Sequence, residues 1–87
     1  MEIKIEPHTV ERAEARGTSR EEISDVLENA FEIPARGNRK GKARVYDFKR
    51  ERLGKYYEQK RVEVIYAEEK DTVVTVTVYV FYGEWKA

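Results

Sequence analysis

Cysteine is missing from this chain and histidine occurs once, as His8. Disulfides, thiolate metal sites and multi-histidine zinc centres are therefore excluded within one chain. Long apolar runs are missing too. No window approaches the roughly 20 apolar residues of a membrane span, and Met1-Glu2-Ile3-Lys4-Ile5-Glu6 has no core of signal-peptide length. The expectation is a cytoplasmic protein with no membrane partner, no cofactor and no metal. With 87 residues, no internal repeat and no long linker, one α+β domain spanning residues 1–87 is expected.

Net charge is also zero, from 17 basic and 17 acidic side chains, but the charges are segregated. Residues 1–35 hold 4 basic and 9 acidic side chains, residues 36–61 hold 11 basic against 3 acidic, and residues 62–87 hold 2 against 5. A neutral protein so divided can carry a strong local positive field, which favours an anionic partner.

Ile3 and Ile5 alternate with Glu2, Lys4 and Glu6, the period of a short strand that Pro7 ends. Thr9 then suits the cap of a first helix running to about Arg16, with Gly17 as its stop. Ser19-Arg20-Glu21-Glu22 has the spacing of a capping box. Ile23, Val26, Leu27 and Ala30 follow at helical spacing for a core, leaving Glu21, Asp25 and Glu28 to face water. Phe31 and Ile33 look extended, and Gly37-Asn38-Arg39-Lys40-Gly41 reads as a loop.

A strand is expected over Ala43–Phe48, a turn over Arg50–Gly54, and another strand opening at Tyr56 and Tyr57. Arg61–Ala67 and Thr72–Tyr82 should pair as an antiparallel hairpin. In the last strand Val74, Val76, Val78 and Val80 are expected to face the helices, with Thr75, Thr77, Tyr79 and Phe81 opposite. The fold class is α+β: a short N-terminal strand, two helices, then an antiparallel sheet of three to four strands.

The run Pro7-His8-Thr9-Val10-Glu11-Arg12 through Arg16-Gly17-Thr18-Ser19 to Glu21-Glu22-Ile23 resembles the signature of the domain of unknown function 4258 family. That family looks related to the RelE/ParE-like toxins. Arg61–Tyr66 and Val73–Tyr79 resemble its closing hairpin, so the likeness spans nearly the whole domain. Thr9, Ala13 and Thr18 stand where alanine, methionine and isoleucine are common in the signature. The resemblance implies a twisted antiparallel sheet with two N-terminal helices. It also implies a toxin-like domain that binds RNA, including messenger RNA on the ribosome, and a cognate antitoxin. Some relatives of that superfamily cleave RNA without a metal, whereas others act on DNA gyrase.

Metal-independent RNA cleavage needs a base, an acid and cations for the transition state. Histidine is the side-chain type that exchanges protons near neutral pH, and His8 is the chain's one histidine. Arg61 could stabilise charge and Tyr79 transfer a proton from the sheet, so His8, Arg61 and Tyr79 form the candidate catalytic set. Arg12 and Arg16 are expected to pair with glutamates. The candidate RNA-binding residues are Arg36, Arg39, Lys40, Lys42, Arg44, Lys49, Arg52, Lys55 and Lys60, with Arg50 among them. They are interleaved with Tyr46, Phe48, Tyr56 and Tyr57, which suits phosphates and stacked bases. The alternative is a non-catalytic module whose basic hairpin docks an acidic partner protein. Gly37–Ala43 is not a P-loop, because one residue is missing between the glycines and Ala43 lacks the magnesium-binding hydroxyl. Trp85 is expected to anchor the tail over the core.

Overall fold

Residues 2–85 are described by the computed structural model, and they follow the order β1 (Glu2–Lys4), α1 (Pro7–Arg16), α2 (Arg20–Asn29), β2 (Phe31–Ile33), β3 (Lys40–Arg52), β4 (Lys55–Glu69), β5 (Thr72–Gly83). The α+β class stands, but the sheet has five strands rather than three to four. Its order is β1-β5-β4-β3-β2. It is mixed, because β1 joins β5 in parallel while the other neighbours are antiparallel.

Each helix boundary has a local cause. Pro7 opens α1 at its first turn, where a missing N–H costs nothing, so Thr9 lies inside the helix and is buried rather than capping it. Gly17 ends α1 with φ 95°, and the Thr18 N–H closes a Schellman turn onto the Ala13 carbonyl at 2.8 Å. Ser19 caps α2 by accepting from the Glu22 N–H at 3.2 Å. The reciprocal half of the box is diverted, since Glu22 accepts instead from the Thr18 hydroxyl and the Lys60 ammonium.

Both helices cover one face of the sheet. Ala13, Ile23, Val26 and Leu27 meet Val62, Val64, Tyr66, Val73 and Val78 in a single buried cluster. Full burial of a valine or isoleucine side chain contributes about 1.5–3 kcal/mol, which makes this cluster the main source of stability. The opposite face of the sheet has no layer over it among the described residues, and Phe31, Tyr79 and Phe81 are exposed there.

Two β-bulges correct the expected strand pattern. Between Ile65 and Tyr66 of β4 the partner shifts from Thr77 to Thr75, so Val76 is an extra residue in β5. Side chains change face at such an insertion. Val73 and Thr75 are therefore buried ahead of it and Val78 beyond it, instead of one unbroken row of valines. The second bulge lies between Asp47 and Arg50 of β3, where Lys49 has φ 50°. It lets β3 and β4 continue to the turn as one hairpin of 13 and 15 residues. The strand expected to open at Tyr56 and Tyr57 and the one expected over Arg61–Ala67 are a single strand, β4, and the turn expected over Arg50–Gly54 narrows to Leu53 and Gly54.

Candidate nucleic-acid interface

The segment from Arg36 to Arg61 is one long arm plus the loop that leads into it, and its cations fall into two groups. The first group is bound into the fold. Lys60 is buried under α2, with its ammonium 2.8 Å from the Glu22 carboxylate and 2.8 Å from the Gly17 carbonyl. Lys42 donates to the Leu27 carbonyl at 2.8 Å, near the open C-terminal end of α2. One guanidinium nitrogen of Arg44, Nη1, donates to both oxygens of Asp25, at 3.1 and 2.9 Å. Asp25 was expected to face water; it also accepts from the Tyr46 hydroxyl and the Asn29 amide. Its carboxyl is held below the usual range, first by the Tyr46 hydrogen bond. Lys40 pairs with Glu68 at 3.0 Å, and Arg52 donates to the Ala15 carbonyl at 2.9 Å.

The second group has no ion pair among the described residues: Arg36, Arg39, Lys49, Arg50 and Lys55. Arg36 and Arg39 precede β3, whereas Lys49, Arg50 and Lys55 flank its far end. A strand advances about 3.3 Å per residue, so roughly 30 Å of β3 separates the two clusters.

At the far end the cations lie on aromatic rings. Phe48 meets Tyr82 edge-on at 5.1 Å between centroids, and Tyr57 lies 5.4 Å from Tyr82. Arg50 lies 4.8 Å over Phe48, Arg52 5.0 Å over Tyr82 and Lys55 5.6 Å over Tyr57, all within cation–π range. The Tyr82 hydroxyl donates to the Arg16 carbonyl at 2.6 Å, and burial raises its pKa, which keeps it a donor. Beside these rings runs an open groove of about 380 Å³, lined by Lys55, Tyr56, Tyr57, Glu58, Tyr82, Gly83 and Glu84, in which the Tyr56 hydroxyl donates to Glu58 at 3.1 Å. The hairpin closes through Leu53 and Gly54, with φ 53° and 82°, and the Leu53 side chain is 95% exposed.

Arg61 and Tyr79 share the open face of the sheet, where Arg61 is opposite Phe81 and Tyr79 opposite Glu63. The Arg61 guanidinium is bound to Glu63 at 2.8 Å and lies over Phe31, while Tyr79 stacks toward Phe81 and under Arg16. His8 is elsewhere, in the first turn of α1, with its ring nitrogen 3.4 Å from the Val76 carbonyl. The structure thus brings Arg61 near Tyr79 and gives His8 no contact with either. Arg16 bonds the Val78 carbonyl rather than a glutamate. Trp85 folds back over Gly83, with its N–H on Gln59 at 2.7 Å, so the tail is anchored on the open face and not over the helical core.

Sequence reasoning missed Tyr82, Arg16 and Leu53 as parts of this surface. Only Leu53 left a trace, as an apolar residue preceding glycine in a basic turn.

Residues 5–80 match the family described as Domain of unknown function (DUF4258). The chain belongs to that family. No curated protein and no solved structure matches the chain. The DUF4258 span contains His8, Arg61, Tyr79 and the whole β3–β4 hairpin. It stops short of Tyr82, the ring on which the hairpin's aromatic cluster closes.

No helix among the described residues is long and apolar enough to cross a membrane.

Proposed function

We propose that the chain is a toxin-like RNA-binding domain that engages single-stranded RNA with the distal end of the β3–β4 hairpin. The observation that carries this reading is the combination of Lys49, Arg50 and Lys55, which have no ion pair among the described residues, with the rings of Phe48, Tyr56, Tyr57 and Tyr82. Cations that track phosphates beside rings that accept stacked bases are the usual means of holding a single strand. The loop cations Arg36 and Arg39 lie too far away to share one short oligonucleotide with them. A cognate antitoxin belongs to the same reading, which rests there on the RelE/ParE resemblance.

Binding draws more on the geometry than cleavage does. For metal-independent endoribonuclease action, His8, Arg61 and Tyr79 would have to meet at one phosphate, and Arg61 would have to exchange Glu63 for it.

The test is fluorescence anisotropy with a labelled single-stranded RNA across a salt series, comparing the native chain with the Lys49→Gln/Arg50→Gln/Lys55→Gln variant. Salt-dependent binding that the variant loses supports the proposal. Absence of binding, or binding that the variant retains in full, overturns it. In the same samples with chelator, RNA cleavage abolished by His8→Ala and by Tyr79→Phe supports the nuclease step, and RNA left intact by the native chain rejects it.

A further inference from the structure

The sheet has two outer edges, and they are dressed differently. Beyond the three residues that β2 covers, the edge strand β3 carries Arg44, Asp47, Lys49, Arg50, Glu51 and Arg52 and a bulge. Charges and bulges of this kind prevent unwanted strand pairing.

The β5 edge is guarded only over its first half. β1 pairs with Thr72–Val74, the Glu6 N–H bonds the Thr75 hydroxyl, His8 approaches the Val76 carbonyl, and Arg16 holds the Val78 carbonyl. Val78 therefore turns its backbone groups out of the sheet. Antiparallel alternation then turns those of Val80 and Tyr82 outward on the same edge. Neither has a backbone hydrogen-bond partner there among the described residues. The stretch Val78-Tyr79-Val80-Phe81-Tyr82-Gly83 contains no charge, no proline and no register shift, and Tyr79 and Phe81 are 43% and 47% exposed. After Gly83 the chain leaves the edge, because the Trp85 N–H bonds Gln59 on β4.

We infer that this edge pairs with the same edge of a second copy, antiparallel, about a two-fold axis at Phe81. Charge selects that occupant. The side chains opposite Phe81 and Tyr79 on β4 are Arg61 and Glu63, and these neutralise each other at 2.8 Å. Arg16, the cation that lies against this edge, is held on the Val78 carbonyl and the Tyr79 ring, outside the Val80–Tyr82 stretch that pairs, and over that stretch an identical uncharged strand meets no repulsion. With the axis at Phe81, each Val80 stands opposite Tyr82 of the second copy, forming two hydrogen-bonded pairs. The two Phe81 side chains then face each other across the axis, where Cα atoms come within about 4.5 Å and aromatic pairs stabilise a sheet. The contact is short, so the association is weak, in the micromolar to millimolar range. This inference is independent of the RNA reading and is tested without RNA.

The experiment is sedimentation of the full chain across a concentration series, with amide exchange of Val80 and Tyr82 followed by NMR. The expected mass rises from 10.3 kDa towards the dimer with concentration, and both amides gain protection in parallel. Phe81 is exposed, so Phe81→Lys and Phe81→Glu should keep the fold, which circular dichroism checks. Each variant alone should remain monomeric, because like charges meet on the axis, and an equimolar mixture should dimerise. A chain that stays monomeric up to about millimolar concentration overturns the inference. So does a dimer that both Phe81 variants retain, or protection of the Val80 and Tyr82 amides that appears only when a different protein is added.

Discussion

The Tyr82 hydroxyl hydrogen-bonds the Arg16 carbonyl and occupies the space into which a β-carbon on residue 17 would project. This ties the end of α1 to the end of β5 and requires glycine twice over, for its φ of 95° and for the close approach.

Gly17→Ala should therefore lose stability by about 2–4 kcal/mol, from left-handed strain of about 1–2 kcal/mol plus displacement of the tyrosine. Tyr82→Phe removes only the hydrogen bond and should cost about 1 kcal/mol. Urea unfolding of both variants, of Tyr82→Ala and of Gly17→Ala/Tyr82→Ala checks the coupling. Removing the ring frees the space, so the effect of Gly17→Ala should be smaller in the Tyr82→Ala background than alone. Strict additivity would mean that the clash is not what makes glycine necessary.

Lys60 is 6% exposed and has two acceptors, Glu22 and the Gly17 carbonyl. Lys60→Ala should destabilise the chain by about 2–4 kcal/mol, less than for a fully buried pair because Glu22 is partly solvated. Lys60→Met/Glu22→Gln keeps the volume and removes both charges. It should be more stable than either single variant in denaturant titrations, whereas a double variant weaker than both would show that the charges themselves are required.

Where sequence and structure part company, the cause is pairing between distant segments. Gly17, the Ser19 cap and the Ile23–Val26–Leu27 stripe are local signals, and each does what its spacing predicts. The inserted Val76 is invisible in a row of alternating valines and threonines, because a bulge exists only relative to the partner strand. The same holds for the candidate site. The excess of cations between Arg36 and Arg61 is plain from composition, but which of them are bound depends on where α2 lays Glu22, Asp25 and the Leu27 carbonyl over the sheet. Lys60 reads as a surface lysine because its acceptors lie some forty residues earlier in the chain.

Acid should act through Asp25. Its carboxyl titrates below the usual range in the folded chain, first through Tyr46, then through Asn29 and Arg44. A lowered folded pKa gives stability that is complete above the unfolded value, about 4, and is lost as pH falls through the folded value. Tyr46 has the opposite sign. Burial first, and then Asp25, raise its phenol pKa, so its contribution is complete below about 10 and fades as pH climbs towards the folded value. Thermal unfolding between pH 2 and 7 should show a shallower acid decline in Asp25→Asn and in Tyr46→Phe than in the native chain. An unchanged acid limb in both would place the acid sensitivity elsewhere.

If the distal hairpin holds RNA, its two cation clusters should behave differently. Lys49→Gln and Lys55→Gln should each weaken RNA binding and lower the slope of log affinity against log salt by about 0.7–1. Arg39→Gln, at the opposite end of β3, should leave both unchanged for a short oligonucleotide. Equal losses from all three would mean that the RNA is attracted to net charge and not to the hairpin end.

Leu53 separates stability from binding. The two-residue loop between Arg52 and Lys55 has positive φ at both positions, the geometry of a type I′ turn, for which Asn-Gly is preferred over Leu-Gly. A leucine there is strained, and with its side chain 95% exposed it recovers nothing from the core. Leu53→Asn should raise stability by about 0.5–1 kcal/mol, a gain of a few degrees in Tm for a chain of this size. Leucine at the tip of a basic, aromatic arm is also placed to lie against a base, so the same substitution should weaken RNA binding several-fold. Calorimetry and anisotropy on one preparation decide it: higher Tm with weaker binding assigns Leu53 to the interface, and higher Tm with unchanged binding removes the tip from it.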